Sequence, residues 1–312
     1  MNRSRRAFLR GAAAAAAASA LGPAAADGGV EGRTRMSSQR ESSSASGKRM
    51  PVLFVGHGSP MNAIEDNEWS RGFRALAALL PRPRAVLAVS AHWYVAGTFA
   101  TSNERPGTIH DFGGFPEPLY RIQYPAPGDP ALARRAVSLV GEGRAALRGD
   151  WGLDHGTWSV LLHAFPAADF PVVQLSIDGR LPPSEHLAIG RRLAPLRDEG
   201  VLLLGSGNVT HNLRLAFSAM RSGERSTPAW ATRFDGDVAR AMVGHDHAFL
   251  LRALEGDDGR LSHPTPDHYL PLLYVAGAGE PGEAVRFPIE GFDLGSLSMR
   301  SILIGSGRGG AS

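Results

Sequence analysis

A single α/β domain is the fold the sequence predicts, with a central, mostly parallel sheet, helices on both faces and long loops over the carboxyl rim of the strands. Three observations predict it: short continuous apolar runs recur, segments with helical spacing alternate with them, and Gly/Pro-rich stretches join the two. Val52-Leu53-Phe54-Val55, ending in Gly56, has the pattern of a strand covered on both faces, and residues 85–89, 172–175 and 201–204 repeat it. Residues 69–80, 130–140, 184–196 and 228–243 carry helical spacing. Residues 98–150 hold many Gly and Pro and little period, so most of this stretch reads as long loops at one edge, of the kind that often carry function. The folded domain is expected over residues 51–305, with 306–312 as a flexible tail. A chain of 312 residues, 43% hydrophobic, buries such a core without covalent staples.

The composition excludes several chemistries. There is no cysteine, so disulfide scaffolds, thiol catalysis and every Cys-ligated zinc or iron–sulfur site are ruled out. Lys48 is the only lysine, so the body has neither a Schiff-base nor a Walker-type lysine. The formal net charge of +3 comes from the N-terminal segment: residues 1–50 hold nine Lys/Arg and three Asp/Glu, whereas residues 51–312 hold 24 and 27. A mildly acidic body with no basic stripe speaks against nucleic-acid binding.

Ser4-Arg5-Arg6-Ala7-Phe8-Leu9, an alanine-rich run and Ala24-Ala25-Ala26 before Asp27 have the parts of a twin-arginine export signal over residues 1–26. Residues 27–50, rich in Ser and Gly, are expected to be a disordered spacer, and the location periplasmic or secreted. The alternative is translation from Met36 or Met50 and a cytoplasmic protein. The alanine run is too short and weakly apolar for a stable membrane span.

Eleven histidines are present, and several follow the apolar runs. His57 stands in Gly56-His57-Gly58-Ser59-Pro60, His92 in Ser90-Ala91-His92-Trp93, and His211 beyond Gly205-Ser206-Gly207-Asn208-Val209-Thr210. In an open α/β sheet the strand carboxyl ends form one rim where ligands bind, so these imidazoles can converge. His155 and His268 sit at loop-to-helix junctions that can face the same rim. Three imidazoles suit a mononuclear metal with open positions; the alternative is that each is an ordinary hydrogen-bonded histidine. His245 and His247 face different directions on a helix, and His163 and His186 fall in helical patterns with surface or boundary roles. His110 and His263 lie in loops, His110 as a candidate for the substrate entrance. Glu65 and Asp66 are candidates for a helix cap or for orienting the His57 loop. Trp93, Trp158 and Tyr269 are candidates for stacking on an aromatic substrate, or else core.

The set Gly56-His57-Gly58-Ser59-Pro60-Met61-Asn62, Ser90-Ala91-His92-Trp93, Asp154-His155-Gly156-Thr157-Trp158, Gly205-Ser206-Gly207-Asn208-Val209-Thr210-His211-Asn212-Leu213 and His268-Tyr269-Leu270-Pro271-Leu272 resembles the 4,5-DOPA extradiol dioxygenases. These belong to the class III ring-opening dioxygenases, together with the catalytic subunit of protocatechuate 4,5-dioxygenase. The resemblance runs from about Pro51 to Ile304. It implies a non-haem metal enzyme that inserts O2 into the ring of a catechol-type substrate to give a muconic semialdehyde, using Fe(2+), with Zn(2+) able to occupy the same site. By this resemblance His57, His92 and His268 are metal ligands and His211 is the acid/base, as well as a candidate fourth ligand. His155 is a second histidine facing the substrate and a proton donor. The wider superfamily completes its triad with a carboxylate where this sequence has His268, with Asp267 adjacent. A neutral ligand there makes the site more positive by one charge, favouring an anionic catecholate and relaxing the choice of iron over zinc. Two readings compete: a non-catalytic metal- or ligand-binding relative, and a tetrapyrrole chelatase, which the His57 turn resembles locally.

Overall fold

The computed structural model describes residues 49–224 and 226–306. The expected leader, most of the spacer and the tail beyond residue 306 lie outside the described residues. In chain order the elements are β1 (Val52–Gly56), α1 (Glu68–Leu79), β2 (Ala85–Val95), β3 (Thr98–Thr101), α2 (Glu117–Tyr120), α3 (Pro130–Val140) and β4 (Ala145–Arg148), followed by α4 (His155–Ala164), β5 (Val172–Asp178), α5 (Pro183–Leu193) and β6 (Val201–Gly207). Then come α6 (Leu213–Ser222), α7 (Ala229–Val243), α8 (His247–Arg252), α9 (Asp257–Ser262), α10 (Leu270–Ala278), β7 (Val285–Arg286), β8 (Phe292–Asp293), β9 (Leu297–Ser298) and β10 (Ile302–Ile304).

Eight strands form one sheet in the order β4-β3-β5-β2-β6-β1-β10-β7. The central pairs β5–β2, β2–β6 and β6–β1 are parallel, and antiparallel pairs with β3 and β10 extend the sheet towards its two edges. Side chains alternate between two cores, as a strand covered on both faces requires. Val52, Phe54, Leu87, Val89, Val173 and Leu175 join the cluster filled by α3, α5, α7 and α10. Leu53, Val55, Val86, Ala88, Leu202 and Leu204 join the cluster filled by α1 and α4. Among the described residues no helix is long and apolar enough to cross a membrane.

Three local expectations are corrected. The second strand does not stop at residue 89: β2 continues to Val95 after a register shift against β5 between Val89 and Tyr94, so His92 and Trp93 lie inside the strand. A bulge of this kind re-aims side chains near a sheet rim. Residues 98–150 contain β3 and β4, each four residues long and too short to display a period. The helix expected to run to residue 196 ends at Leu193 and tightens into a 3-10 turn over Ala194–Arg197 that contains Pro195.

Candidate metal centre

The parallel strands bring five histidines to one rim. His57 leaves the end of β1, His92 sits in the last part of β2, His155 opens α4, His211 bridges β6 and α6, and His268 precedes α10. Ring centroids of His57 and His92 are 5.0 Å apart, and those of His92 and His155 3.9 Å. The His268 ring lies 5.3 Å from His57 and 5.1 Å from His92, and His211 stacks on it at 3.4 Å with the planes 4° apart. Two glycines permit this crowding. A Cβ on Gly156 would lie 2.6 Å from Ser90 Oγ and 3.0 Å from His92 Cδ2, and one on Gly207 would lie 2.1 Å from the His268 carbonyl oxygen.

Four of the rings are held by Nδ1. Ser206 Oγ donates to the Gly156 carbonyl at 2.5 Å and so accepts from His57 Nδ1–H at 2.9 Å. His92 Nδ1 and His155 Nδ1 each lie 3.0 Å from a different oxygen of Asp111, and His268 Nδ1 lies 2.5 Å from Asp267 Oδ2. Each arrangement leaves Nε2 as the free nitrogen, the pattern by which metal-ligating imidazoles are oriented. His57 Nε2 and His92 Nε2 face each other at 3.1 Å. Two lone pairs at that distance repel each other, and a cation between them turns the repulsion into shared attraction. Two nitrogens on one tetrahedral ion at 2.0–2.1 Å would stand about 3.3 Å apart, so the donor set fits a metal. One ligand nitrogen from each of His57, His92 and His155 falls within a mutual distance of 4.8 Å.

The electrostatics divide the five. Burial, then the charges of the neighbouring histidines, keeps His57 well below its ordinary value. His211 is likewise held well below by burial and by His268, and His155 is lowered by burial and by His92. His268 is lowered to about 4, burial outweighing its hydrogen bond to Asp267. For His92 burial also pulls downward, but the Asp111 hydrogen bond and the charges of Asp154, Asp111 and Asp267 raise it overall. Asp111 is pushed up by burial, yet its hydrogen bonds from His155 and His92 hold it well below the usual carboxylate range. All five imidazoles open onto a cavity of about 720 Å³. Phe112, Phe115, Leu213 and Phe217 supply apolar wall, Glu65, Asp111 and Asp293 also line the cavity, and among the described residues no Lys or Arg does.

Residues 51–289 match the sequence model of a family described as the catalytic LigB subunit of aromatic ring-opening dioxygenase. The chain belongs to this family. It is an oxidoreductase of the extradiol ring-opening type, and a protein from Escherichia coli K12 named 4,5-DOPA dioxygenase extradiol is 50% identical to it over 264 residues, covering 83% of this chain and 96% of that one. A protein of the same name from Beta vulgaris is 34% identical over 257 residues, with 80% of this chain and 94% of that one covered. A solved structure of an uncharacterized protein from Escherichia coli K12 superposes with a TM-score of 0.71 at 44% identity, covering 82% of this chain and all of that one. Because the LigB match spans the body and not the His57 turn alone, the chelatase reading is set aside.

Within this LigB-family fold several expected residues stand elsewhere. Trp93, Trp158 and Tyr269 do not line the cavity. Trp93 stacks on Trp151 at 5.2 Å, the Trp158 indole donates to the Ile109 carbonyl at 2.8 Å, and the Tyr269 hydroxyl donates to the Leu250 carbonyl at 2.9 Å. Trp93 and Tyr269 each directly follow a histidine, so successive side chains point apart and these two turn into core, while Trp158, three residues after His155 in α4, is drawn into core by its bond to Ile109. The aromatic side chains facing the cavity are instead Phe112, Phe115 and Phe217, with Phe112 edge-on to His155 at 5.4 Å. Glu65 and Asp66 neither touch an imidazole nor cap α1, whose cap is Asn67. Asp66 pairs on the surface with Arg71 and Arg74. His186 is not at the surface: it is buried, with Nδ1 3.0 Å from the Tyr274 hydroxyl. His263 is buried and donates to the Val209 carbonyl, and His163 and His110 donate to the carbonyls of Asn62 and Ile122. Sequence reasoning missed Asp111 entirely, and its one signal was membership of a long loop beside His110.

Proposed function

We propose that this dioxygenase opens the ring of a catechol bearing an ammonium-containing side chain, a DOPA-like substrate, with its metal held by His57, His92 and His268 and with His211 as a candidate fourth ligand. The observation that carries the metal assignment is the 3.1 Å approach of His57 Nε2 and His92 Nε2, each ring fixed from behind through Nδ1. Ferrous iron in that set supplies both catechol-oxygen coordination and the electron transfer that activates dioxygen, whereas zinc supplies only the coordination.

The side chains do the rest. His211, neutral at ordinary pH, accepts the catechol hydroxyl proton. His155, its Nδ1–H fixed on Asp111, presents Nε2 as a lone-pair atom that takes up the second catechol hydroxyl proton and returns it to the oxygenated product. Phe112 and Phe115 give the ring an apolar face and keep water from it. Burial, together with the charges of Glu65 and Glu68, pushes the Asp293 carboxyl up, and a substrate ammonium beside it relieves that strain. A catechol carrying only a carboxylate meets Glu65 and Asp293 there and, among the described residues, no Lys or Arg to balance it. The names of the relatives support the DOPA-like reading, and the twin-arginine pattern in residues 1–26 supports a periplasmic location.

The test loads the protein anaerobically with Fe(II), then admits oxygen with DOPA, dopamine, caffeate or protocatechuate. Oxygen uptake and a yellow semialdehyde are expected, with kcat/KM for the amine-bearing catechols at least about tenfold above the acids, a difference of about 1.4 kcal/mol. No uptake with any catechol defeats the enzymatic reading, and equal rates defeat the substrate reading. A zinc-loaded sample should be inactive. One observation favours a second ligand set: the His155 nitrogen also comes close to those of His57 and His92. Metal titration separates the two, since His268→Ala should lose metal while His155→Ala and His211→Ala retain it and lose turnover.

A further inference from the structure

One carboxylate serves two of the histidines. Asp111 Oδ2 lies 3.0 Å from His92 Nδ1, and Oδ1 lies 3.0 Å from His155 Nδ1 and 2.9 Å from the His155 backbone nitrogen. An ionised carboxylate only accepts hydrogen bonds, so both ring nitrogens facing it carry protons. Both Nε2 atoms are then lone-pair nitrogens. The loop holding Asp111 is anchored on its N-terminal side, where Ile109 N donates to the Leu153 carbonyl at 2.7 Å and the Trp158 indole to the Ile109 carbonyl at 2.8 Å. These bonds root the carboxylate on the start of α4, the helix that carries His155.

We propose that Asp111 is a positioning residue that sets, through its two oxygens, the tautomer of a metal ligand and of a proton carrier at once. This rests on the metal role given to His92 above. The arrangement is asymmetric, and the asymmetry makes the proposal testable. Exchanging Asp111 for Asn leaves one accepting oxygen and one donating nitrogen. The oxygen stays where two donors converge, on the His155 side. The amide nitrogen then faces His92 Nδ1, which can only accept from it. His92 is driven to the Nε2–H tautomer, with a proton on the atom that needs a free lone pair for the metal, while His155 keeps its tautomer. A carboxylate that merely filled space would affect the two rings alike.

The experiment uses the full chain and Zn(II) as probe, so it does not depend on turnover. Zinc affinity is measured by competition with a chromophoric chelator for the wild type, Asp111→Asn and His92→Ala. The imidazole tautomers are read by 15N NMR on metal-free protein at alkaline pH, where the rings are neutral. Asp111→Asn is expected to weaken zinc binding about 10- to 100-fold, the usual effect of losing a partner behind a metal ligand. Its His92 should be protonated on Nε2 and its His155 still on Nδ1. Unchanged zinc affinity, or His92 and His155 shifting together, overturns the proposal. Should Asp111→Asn not fold, the wild-type spectrum decides alone: a neutral His92 or His155 protonated on Nε2 overturns it. Unchanged zinc binding by His92→Ala sinks the metal role of His92 and leaves the tautomer result standing by itself.

Discussion

Gly156 shows how one missing carbon shapes the metal centre. Its hypothetical Cβ would press on Ser90 Oγ at 2.6 Å, His92 Cδ2 at 3.0 Å and His57 Cε1 at 3.3 Å. Gly156→Ala therefore has to shift Ser90 or both imidazoles, and a displacement of an ångström at reacting groups costs about 10²-fold in rate. Steady-state oxygen uptake should fall by about that factor, and metal content per chain should drop, while the circular dichroism of the fold is retained. The same residue scale shows what a sequence conveys about a site. The convergence of His57, His92 and His211 was legible because an α/β sheet gathers what lies at the carboxyl ends of its parallel strands, and that of His155 and His268 because loop-to-helix junctions can face the same rim. Asp111 was not, because nothing about an aspartate in a Gly-rich loop marks which rings its two oxygens meet. Trp93, Trp158 and Tyr269 stood between stacking and core, and the structure takes the core alternative for all three, because nearness to a histidine along the chain does not fix which way a side chain points.

Helix α1 illustrates the scale of the element. Asn67 accepts from Ser70 N at 2.9 Å while Ser70 Oγ accepts from Asn67 N at 3.0 Å, a reciprocal cap that satisfies two otherwise orphaned donors. Asn67→Ala should lower stability by about 1 kcal/mol in urea unfolding. Asp66→Asn should leave the urea midpoint essentially unchanged, because its ion pairs with Arg71 and Arg74 are exposed and screened. Glu65 and Asp66 were candidates for this cap or for orienting the His57 loop; one position further, Asn67 takes the extended backbone with φ −118° that a cap requires. Strands β1, β5 and β6 and helices α1, α3, α5 and α7 were legible from their periods. The outer part of β2 and the short β3 and β4 were not, since their pairing is decided by partners distant in sequence: Ile177 and Asp178 for β2, and residues 145–148 for β3.

At the scale of the whole molecule, Arg197 ties the ends of the domain together. The guanidinium is buried, donating to the Met50 carbonyl at 2.7 Å, to the Ala278 carbonyl at 2.8 Å and to both oxygens of Glu283. Burial pushes the Glu283 carboxyl up, but hydrogen bonds from Arg197 and the Glu280 N–H, with the charges of Arg197 and Arg49, hold it below its ordinary value. The folded protein then binds fewer protons than the unfolded chain as pH falls. The stabilisation is complete above the unfolded Glu value of about 4.3 and disappears as pH drops through the lower folded value. Glu283→Gln should cost about 2–3 kcal/mol at neutral pH, the range for a hydrogen bond to a charged, buried partner. In chemical unfolding followed from pH 7 to pH 3, the gap between variant and wild type should narrow below about pH 4.

The clamp at Met50 also fixes where the polypeptide joins the sheet. From Met50 the chain runs through the five residues of β1 to His57, so its point of entry is the rim opposite the histidines, about 17 Å away at 3.3 Å per strand residue. A bead, electrode or display scaffold coupled ahead of residue 49 pulls on the back of the sheet, leaving the mouth of the cavity turned outward and the gripping point backed by a buried guanidinium.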